Sequence, residues 1–219
     1  MIAHRGSSGT LAEHTLAAYR LALDEGADGL ECDVRLTADG QLVCVHDRTV
    51  NRTSDGRGAV SGLTLAELSR FDFGSWKAAG SGPDHRSVLT LERLLELSAG
   101  CGRRVELAIE TKHPIRQGGR LPYGARIAGP GIDLVRRDPG YVTALRRAGQ
   151  RVRVWTVDDP ADVELCLRLG VDTLISNHPG RVLDLLHRGT GGTGAAGAAG
   201  AAGAAGAAGG DCGDGNSEE

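Results

Sequence analysis

Residues 26–47 read GADGLECDVRLTADGQLVCVHD, and this stretch decides the fold. Residues 29–34 form an apolar-rich strand, Asp39-Gly40 forms a turn, and residues 41–46 form a second strand. Glu31 and Asp33 stand two apart on the first strand, so both carboxylates leave the same face. His46 ends the second strand, with Leu42 and Cys44 on its side. Charged groups that close an apolar strand mark the end of a sheet where chemistry is done.

Working outward, the same pattern recurs. Residues 2–4 make a short strand that ends at His4 and runs into the turn RGSSG. Thr10 and Glu13 stand three apart, as in a capping box, and predict a helix running to about Leu23, stopped at Gly26. Downstream, Thr64 and Glu67 cap a short helix, and residues 89–99 form a longer one. Residues 104–111 form a strand in which Glu110 shares a face with Lys112, while Val105, Leu107 and Ile109 point the other way. A helix near 141–148, a strand at 151–157, a helix at 161–169 and a strand at 172–176 follow. Six strands are clear and residues 126–132 offer a weak seventh. Repeated βα units imply a parallel sheet with helices outside, either open or closed into a barrel.

In an α/β barrel the active site lies at the carboxyl ends of the strands. His4, Glu31, Asp33, His46, Glu110 and Lys112 converge there from four separate strands. Three carboxylates and no cysteine suit a hard divalent cation, Mg²⁺ or Ca²⁺, rather than zinc. Such a cation neutralises a phosphodiester and polarises its P–O bonds. Two histidines titrating near neutrality suit a general base and a general acid. Arg5 and Lys112 suit phosphate binding. Asp47 is read as holding the loop, and Trp76 as loop packing. His85, His113, His178 and His187 are read as structural or solvent histidines.

Composition excludes other classes. The net charge is −3, so no basic field attracts nucleic acid, and 3% aromatic residues offer few stacking platforms. No nucleic-acid partner is expected. The five cysteines are odd in number and lack CxxC spacing, which argues against a disulfide framework or a structural zinc site. No apolar run approaches 18 residues, and the chain opens on MIAHRG without a signal-like segment, so stable membrane insertion is not expected and a cytoplasmic location is. From Gly189 the composition changes to GAA triplets and then DCGDGNSEE. Such a tract has nothing to bury, which predicts a globular domain at 1–188 and a disordered Gly/Ala-rich tail at 189–219. Nothing here sets the oligomeric state.

The order of these residues closely resembles the glycerophosphodiester phosphodiesterase family. The resemblance runs through HRG, AEHT, the stretch from Gly26 to Gly58, LTLAEL, FDFGSW, LTLERLLEL, ELAIETKHP and VRVWTVDDPADVELCLRLGVDTLISNHP. It implies a TIM-type (β/α) barrel that hydrolyses a small-molecule glycerophosphodiester to sn-glycerol 3-phosphate and an alcohol. It also implies His4 and His46 as catalytic residues, and Glu31, Asp33 and Glu110 as ligands of a divalent metal cation. Arg5 and Lys112 would contact the phosphate, and Trp155 would line the pocket. Three departures stand out. His14 replaces the usual asparagine of the Glu-Asn-Thr element, and Asn177 replaces an aspartate common near the last strand. Between Pro114 and Arg126, about two βα units are missing. A full barrel takes ~250 residues, so ~190 globular residues predict an incomplete barrel of six to seven strands of eight.

Two alternatives stay open. One is a truncated, inactive relative that binds metal or phosphate without turnover. The other is a phospholipase D-like phosphodiesterase on the same barrel, which works on membrane lipid; no amphipathic or aromatic membrane-inserting stretch is present here.

Overall fold

The Asp39-Gly40 turn is too short for a crossover, so the two strands it joins are antiparallel. In the computed structural model, which describes residues 1–77, 82–112 and 126–190, β2 (Gly29–Leu36) folds back onto β3 (Leu42–Cys44) with Val34 opposite Cys44 and Leu36 opposite Leu42. Thr37 seals the turn, accepting from Gly40 N through its carbonyl and from Gln41 N through its hydroxyl. β3 is therefore a hairpin extension of β2 rather than a member of the parallel sheet, and His46 lies just beyond it.

Six strands are parallel, in the order β4 (Glu106–Thr111), β2, β1 (Ile2–His4), β7 (Thr173–Ser176), β6 (Arg151–Val154) and β5 (Ile127–Ala128). β1 pairs with residues 29–31 of β2, and β3 takes over that side at Val34. The sheet curls into part of a (β/α) barrel. With β3, the strands number seven among the described residues, and the weak strand expected at 126–132 is the two-residue β5. β4 and β5 end the order at its two margins. The expected short segment at 115–125 lies outside the described residues, as does the tail expected at 189–219 apart from Gly189 and Thr190, which continue the last helix instead of leaving the domain.

Helices cover the outer face and divide the core. α1 (Leu16–Asp24) and α4 (Leu91–Gly100) pack Leu16, Tyr19, Ala22 and Leu94 against Ala3, Leu30, Cys32 and Val34 of β1 and β2. α5 (Ile132–Arg137), α6 (Pro139–Arg147), α7 (Pro160–Arg168) and α8 (Pro179–Thr190) supply Val135, Val142, Val163 and Val182 to a second cluster around Val152 and Val154. Each fully buried Val or Leu contributes about 1.5–3 kcal/mol, which fixes the helices to the sheet and leaves the strand ends free for polar groups. Cys32, Cys44 and Cys166 are buried free thiols within these layers.

Two local expectations resolve differently. The capping box at Thr64 and Glu67 forms as expected and opens a one-turn helix at Leu65–Leu68. The one at Thr10 and Glu13 does not. α1 is capped instead by Thr15, whose hydroxyl accepts from Ala18 N at 3.2 Å. Glu13 is drawn away by two arginines, and residues 5–14 remain a loop folded against α1. Gly6 permits that approach. Its φ is +84°, and a Cβ there would lie 2.7 Å from the Ala18 carbonyl carbon.

Candidate active site

A cavity of about 380 Å³ opens at the carboxyl ends of the strands. His4, Arg5, Glu31, His46, Glu110, Lys112 and Trp155 line it together with Ala108, Ile109 and Ile175. Asp33, the remaining expected residue, lies beneath, with its side chain 1% exposed. The eight residues expected from the sequence are thus brought to one place. Ile109 corrects the reading of β4, since it lines the cavity and is 43% exposed, whereas Val105 and Leu107 pack into the core. Trp155 is 49% exposed and anchored by its indole N–H, which donates to the Gly129 carbonyl at 2.8 Å.

Glu31, Asp33 and Glu110 offer carboxylate oxygens that lie within 4.8 Å of one another. Such crowding opposes ionisation. Burial first, and then the charge of Asp33, push the Glu31 pKa up to about 8, against Arg5, which pulls the other way. Lys112 Nζ lies between two members of the set, 2.5 Å from Glu110 Oε1 and 3.1 Å from Asp33 Oδ1. An ammonium lodged among these oxygens shows that the donor set suits a cation.

Asp33 is the most heavily engaged carboxylate. Arg5 Nε and His14 Nε2 approach its Oδ2 at 3.1 and 3.0 Å. Burial alone would raise its pKa, but the His14 hydrogen bond and the charges of His14, Arg5 and Lys112 hold it well below the usual carboxylate range. His14 is held on its far side by Tyr19, 2.7 Å from Nδ1. The Tyr19 hydroxyl in turn donates to the Glu31 carbonyl at 3.0 Å. Burial lowers the His14 pKa, against the opposing pull of Asp33.

Each of the two expected catalytic histidines has a partner that sets its tautomer. His4 Nδ1 lies 2.8 Å from Asn177 Oδ1. Asn177 is oriented by Asp158, which accepts its side-chain N–H₂ at 2.7 Å and its backbone N–H at 2.9 Å. Ser8 donates to the same Oδ1 at 2.9 Å. An oxygen facing His4 requires N–H at Nδ1 and leaves Nε2 bare, 3.9 Å from Glu31 Oε2. Burial chiefly, with help from Arg5, lowers the His4 pKa, which favours that neutral form. His46 Nδ1 lies 2.7 Å from Asp47 Oδ1. A carboxylate is acceptor only, so His46 also holds its hydrogen on Nδ1.

The sequence reading did not foresee several partners. Asp47 touches the ring of His46 besides holding its loop, and the His-Asp dipeptide after a strand was its signal. Asn177 stands out in the sequence only as a departure at the barrel rim, and its contact with His4 has no local signal. Asp158, His14 with Tyr19, and the pairing of Glu13 with Arg52 carried no local signal. Arg35 is a further case, donating to the backbone carbonyls of both His46 and Lys112 at 2.7–3.0 Å. Among the histidines read as structural, His178 packs its ring where a Cβ at Gly9 would fall, 1.9 Å away. His113 lies outside the described residues. Trp76 donates to the Phe73 carbonyl at 3.0 Å, consistent with loop packing.

The family model described as the glycerophosphoryl diester phosphodiesterase family matches residues 4–120 and 123–181. The chain belongs to this family. It is a family of phosphoric diester hydrolases with a TIM-type barrel, generally dependent on a divalent metal. The chain is 36% identical over 255 residues to a protein of Mycobacterium tuberculosis (strain H37Rv) named "Probable glycerophosphodiester phosphodiesterase 1", covering 86% of this chain and 93% of that one. A Caldanaerobacter subterraneus glycerophosphodiester phosphodiesterase is 29% identical, with 86% and 98% covered. An alignment of 255 residues that uses 86% of a 219-residue chain includes positions with no counterpart in this chain. The solved structure of an Oleispira antarctica phosphodiesterase in complex with the product sn-glycerol-3-phosphate superposes with a TM-score of 0.69 at 25% identity, covering 85% of this chain and 96% of that one. A Parabacteroides distasonis glycerophosphodiester phosphodiesterase at 22% identity and a TM-score of 0.70 shares the fold, with 86% and 97% covered. Among the described residues, no helix is long and apolar enough to cross a membrane.

Proposed function

We propose that this family member hydrolyses glycerophosphodiesters to sn-glycerol 3-phosphate and an alcohol. One observation carries the reading: two imidazoles, each with its Nδ1 engaged by an oxygen acceptor, border a set of three carboxylates in a single cavity. Membership of the family and the product named in the Oleispira antarctica structure support it.

Glu31, Asp33 and Glu110 would hold a divalent cation, Mg²⁺ or Ca²⁺, because three hard oxygen donors suit those ions. When bound, such an ion neutralises the phosphodiester and the charge that develops on its oxygens. Arg5 and Lys112 add positive charge at the same place and bind the phosphoryl oxygens. His4, neutral and bare at Nε2, takes the proton from the attacking hydroxyl of water or of the substrate's own glycerol. His46 stands against the negative Asp47, which balances an imidazolium, and gives its Nε2 proton to the leaving alkoxide. Trp155 and Ile109 form an apolar wall for the carbon skeleton.

A coupled assay for glycerol 3-phosphate released from glycerophosphocholine tests the proposal, run with and without chelator. Release that stops in chelator and returns with Mg²⁺ or Ca²⁺ is the expected result. No release under any metal condition would leave a protein that binds metal or phosphate without turnover.

A further inference from the structure

His46 lies at one end of a run of charged side chains that crosses from one loop to another. Asp47 Oδ1 contacts its Nδ1 at 2.7 Å. Arg52 donates Nε to Asp47 Oδ2 at 2.8 Å and Nη2 to Oδ1 at 3.2 Å. Another edge of the same guanidinium meets Glu13, with Nη1 to Oε2 and Nη2 to Oε1 both at 2.8 Å. Glu13 lies in the loop between β1 and α1, whereas Asp47 and Arg52 follow β3. The two loops come from different strand ends, and one planar fork of donors ties them together.

Exposure indicates what this tie supplies. The Arg52 side chain is 44% exposed, so solvent screens its own charge, and what it supplies is chiefly orientation. Its geometry is well defined, because bidentate carboxylate bonds fix orientation as well as distance. Glu13 is only 12% exposed and is also bound by Arg5 at 3.1 Å, so it is a firm anchor. With both oxygens engaged, Asp47 cannot turn away from the His46 ring.

We propose that Arg52 is a positioning residue for His46: anchored on Glu13, it locks the Asp47 carboxylate so that Asp47 holds the ring by Nδ1–H and leaves Nε2 for proton transfer. Arg52 itself touches no reacting atom. The inference rests on the phosphodiesterase reading of the site.

The test uses the full chain loaded with Mg²⁺ and glycerophosphocholine as substrate. Arg52→Gln should lower kcat about 10–100-fold, the usual effect of removing a group that orients a functional ligand, with KM within about threefold. Glu13→Gln should lower kcat in the same way, and the two losses should not multiply in the double variant, because they act through one network. Arg52→Lys keeps the charge without the fork and should recover only part of kcat, which also gives a reading if Arg52→Gln folds poorly. Histidine-selective ¹⁵N–¹H spectra, recorded at alkaline pH on the neutral ring and assigned with His46→Gln, should show His46 protonated on Nδ1 in the parent and a tautomer mixture in Arg52→Gln. Wild-type kcat in Arg52→Gln, a rise in KM alone, full rescue by lysine or an unchanged His46 tautomer would each overturn the proposal. If the parent releases no glycerol 3-phosphate, the phosphodiesterase reading falls, and the spectra still decide the role of Arg52.

Discussion

Asn177 Oδ1 lies 2.8 Å from His4 Nδ1, although 173 positions separate the two residues in the chain. The contact joins the ends of β1 and β7, which are neighbours in the sheet. It selects one tautomer of His4 without adding a negative charge. Asn177→Leu should therefore lower kcat about 10–100-fold with little change in melting temperature. Asn177→Asp should keep more activity. Its carboxylate would favour the imidazolium and raise the His4 pKa, so the acidic limb of the kcat/KM profile should move to higher pH. Identical profiles for parent and Asn177→Asp would show that His4 does not set that limb.

Metal binding should release a proton near neutral pH. The metal-free Glu31 pKa stands at about 8, so this carboxyl is largely protonated at pH 7, and a cation must displace that proton. The sign follows directly: affinity rises as pH climbs toward 8 and levels off above it. Calorimetric titration with Mg²⁺ in two buffers of different ionisation enthalpy should give a buffer-dependent heat at pH 7 and none at pH 9. Equal heats in both buffers at pH 7 would place the ion elsewhere or leave Glu31 ionised.

His4→Ala and His46→Ala should each cut turnover by about 10²–10⁴-fold, the range for losing a general acid or base. Folding should change little, because both rings sit at the polar strand ends rather than in the core. Steady-state kinetics with circular dichroism melts check this, and retained turnover in a folded variant removes that histidine from the mechanism.

Glu13 should be a source of acid sensitivity. Burial raises its pKa, but the Arg52 hydrogen bonds and the charges of Arg5 and Arg52 outweigh burial and bring it down to about 2. A depressed carboxyl contributes stability above its unfolded pKa, near 4.5, and loses it as pH falls toward 2. Melting temperature should therefore drop between about pH 5 and pH 2, and Glu13→Gln should flatten that drop. An unchanged slope in the variant would mean that other carboxylates govern acid unfolding.

Sequence patterning by itself determined the alternation of strands and helices, and it pointed to His4, Arg5, Glu31, Asp33, His46, Glu110 and Lys112 as candidates, while the family resemblance added Trp155 and the expected gap after the Glu110 strand. These are local or ordered signals. Glu31 and Asp33 share a face because side chains alternate along any strand, and a run such as LTLERLLEL is helical by its own period. Only the tertiary structure decided the rest. β3 is antiparallel because a hairpin turn leaves no room for a crossover, whatever the βα rhythm around it. Glu13 leaves its helix cap because Arg5 and Arg52, the latter 39 positions away, offer it two charge-assisted partners once the loops meet. Asn177 reaches His4, and His14 reaches Asp33, because sheet order rather than chain order sets which strand ends adjoin. The types of group at the site were legible in the sequence. Which group holds which proton depends on burial and on partners far along the chain, and those exist only after the sheet has curled.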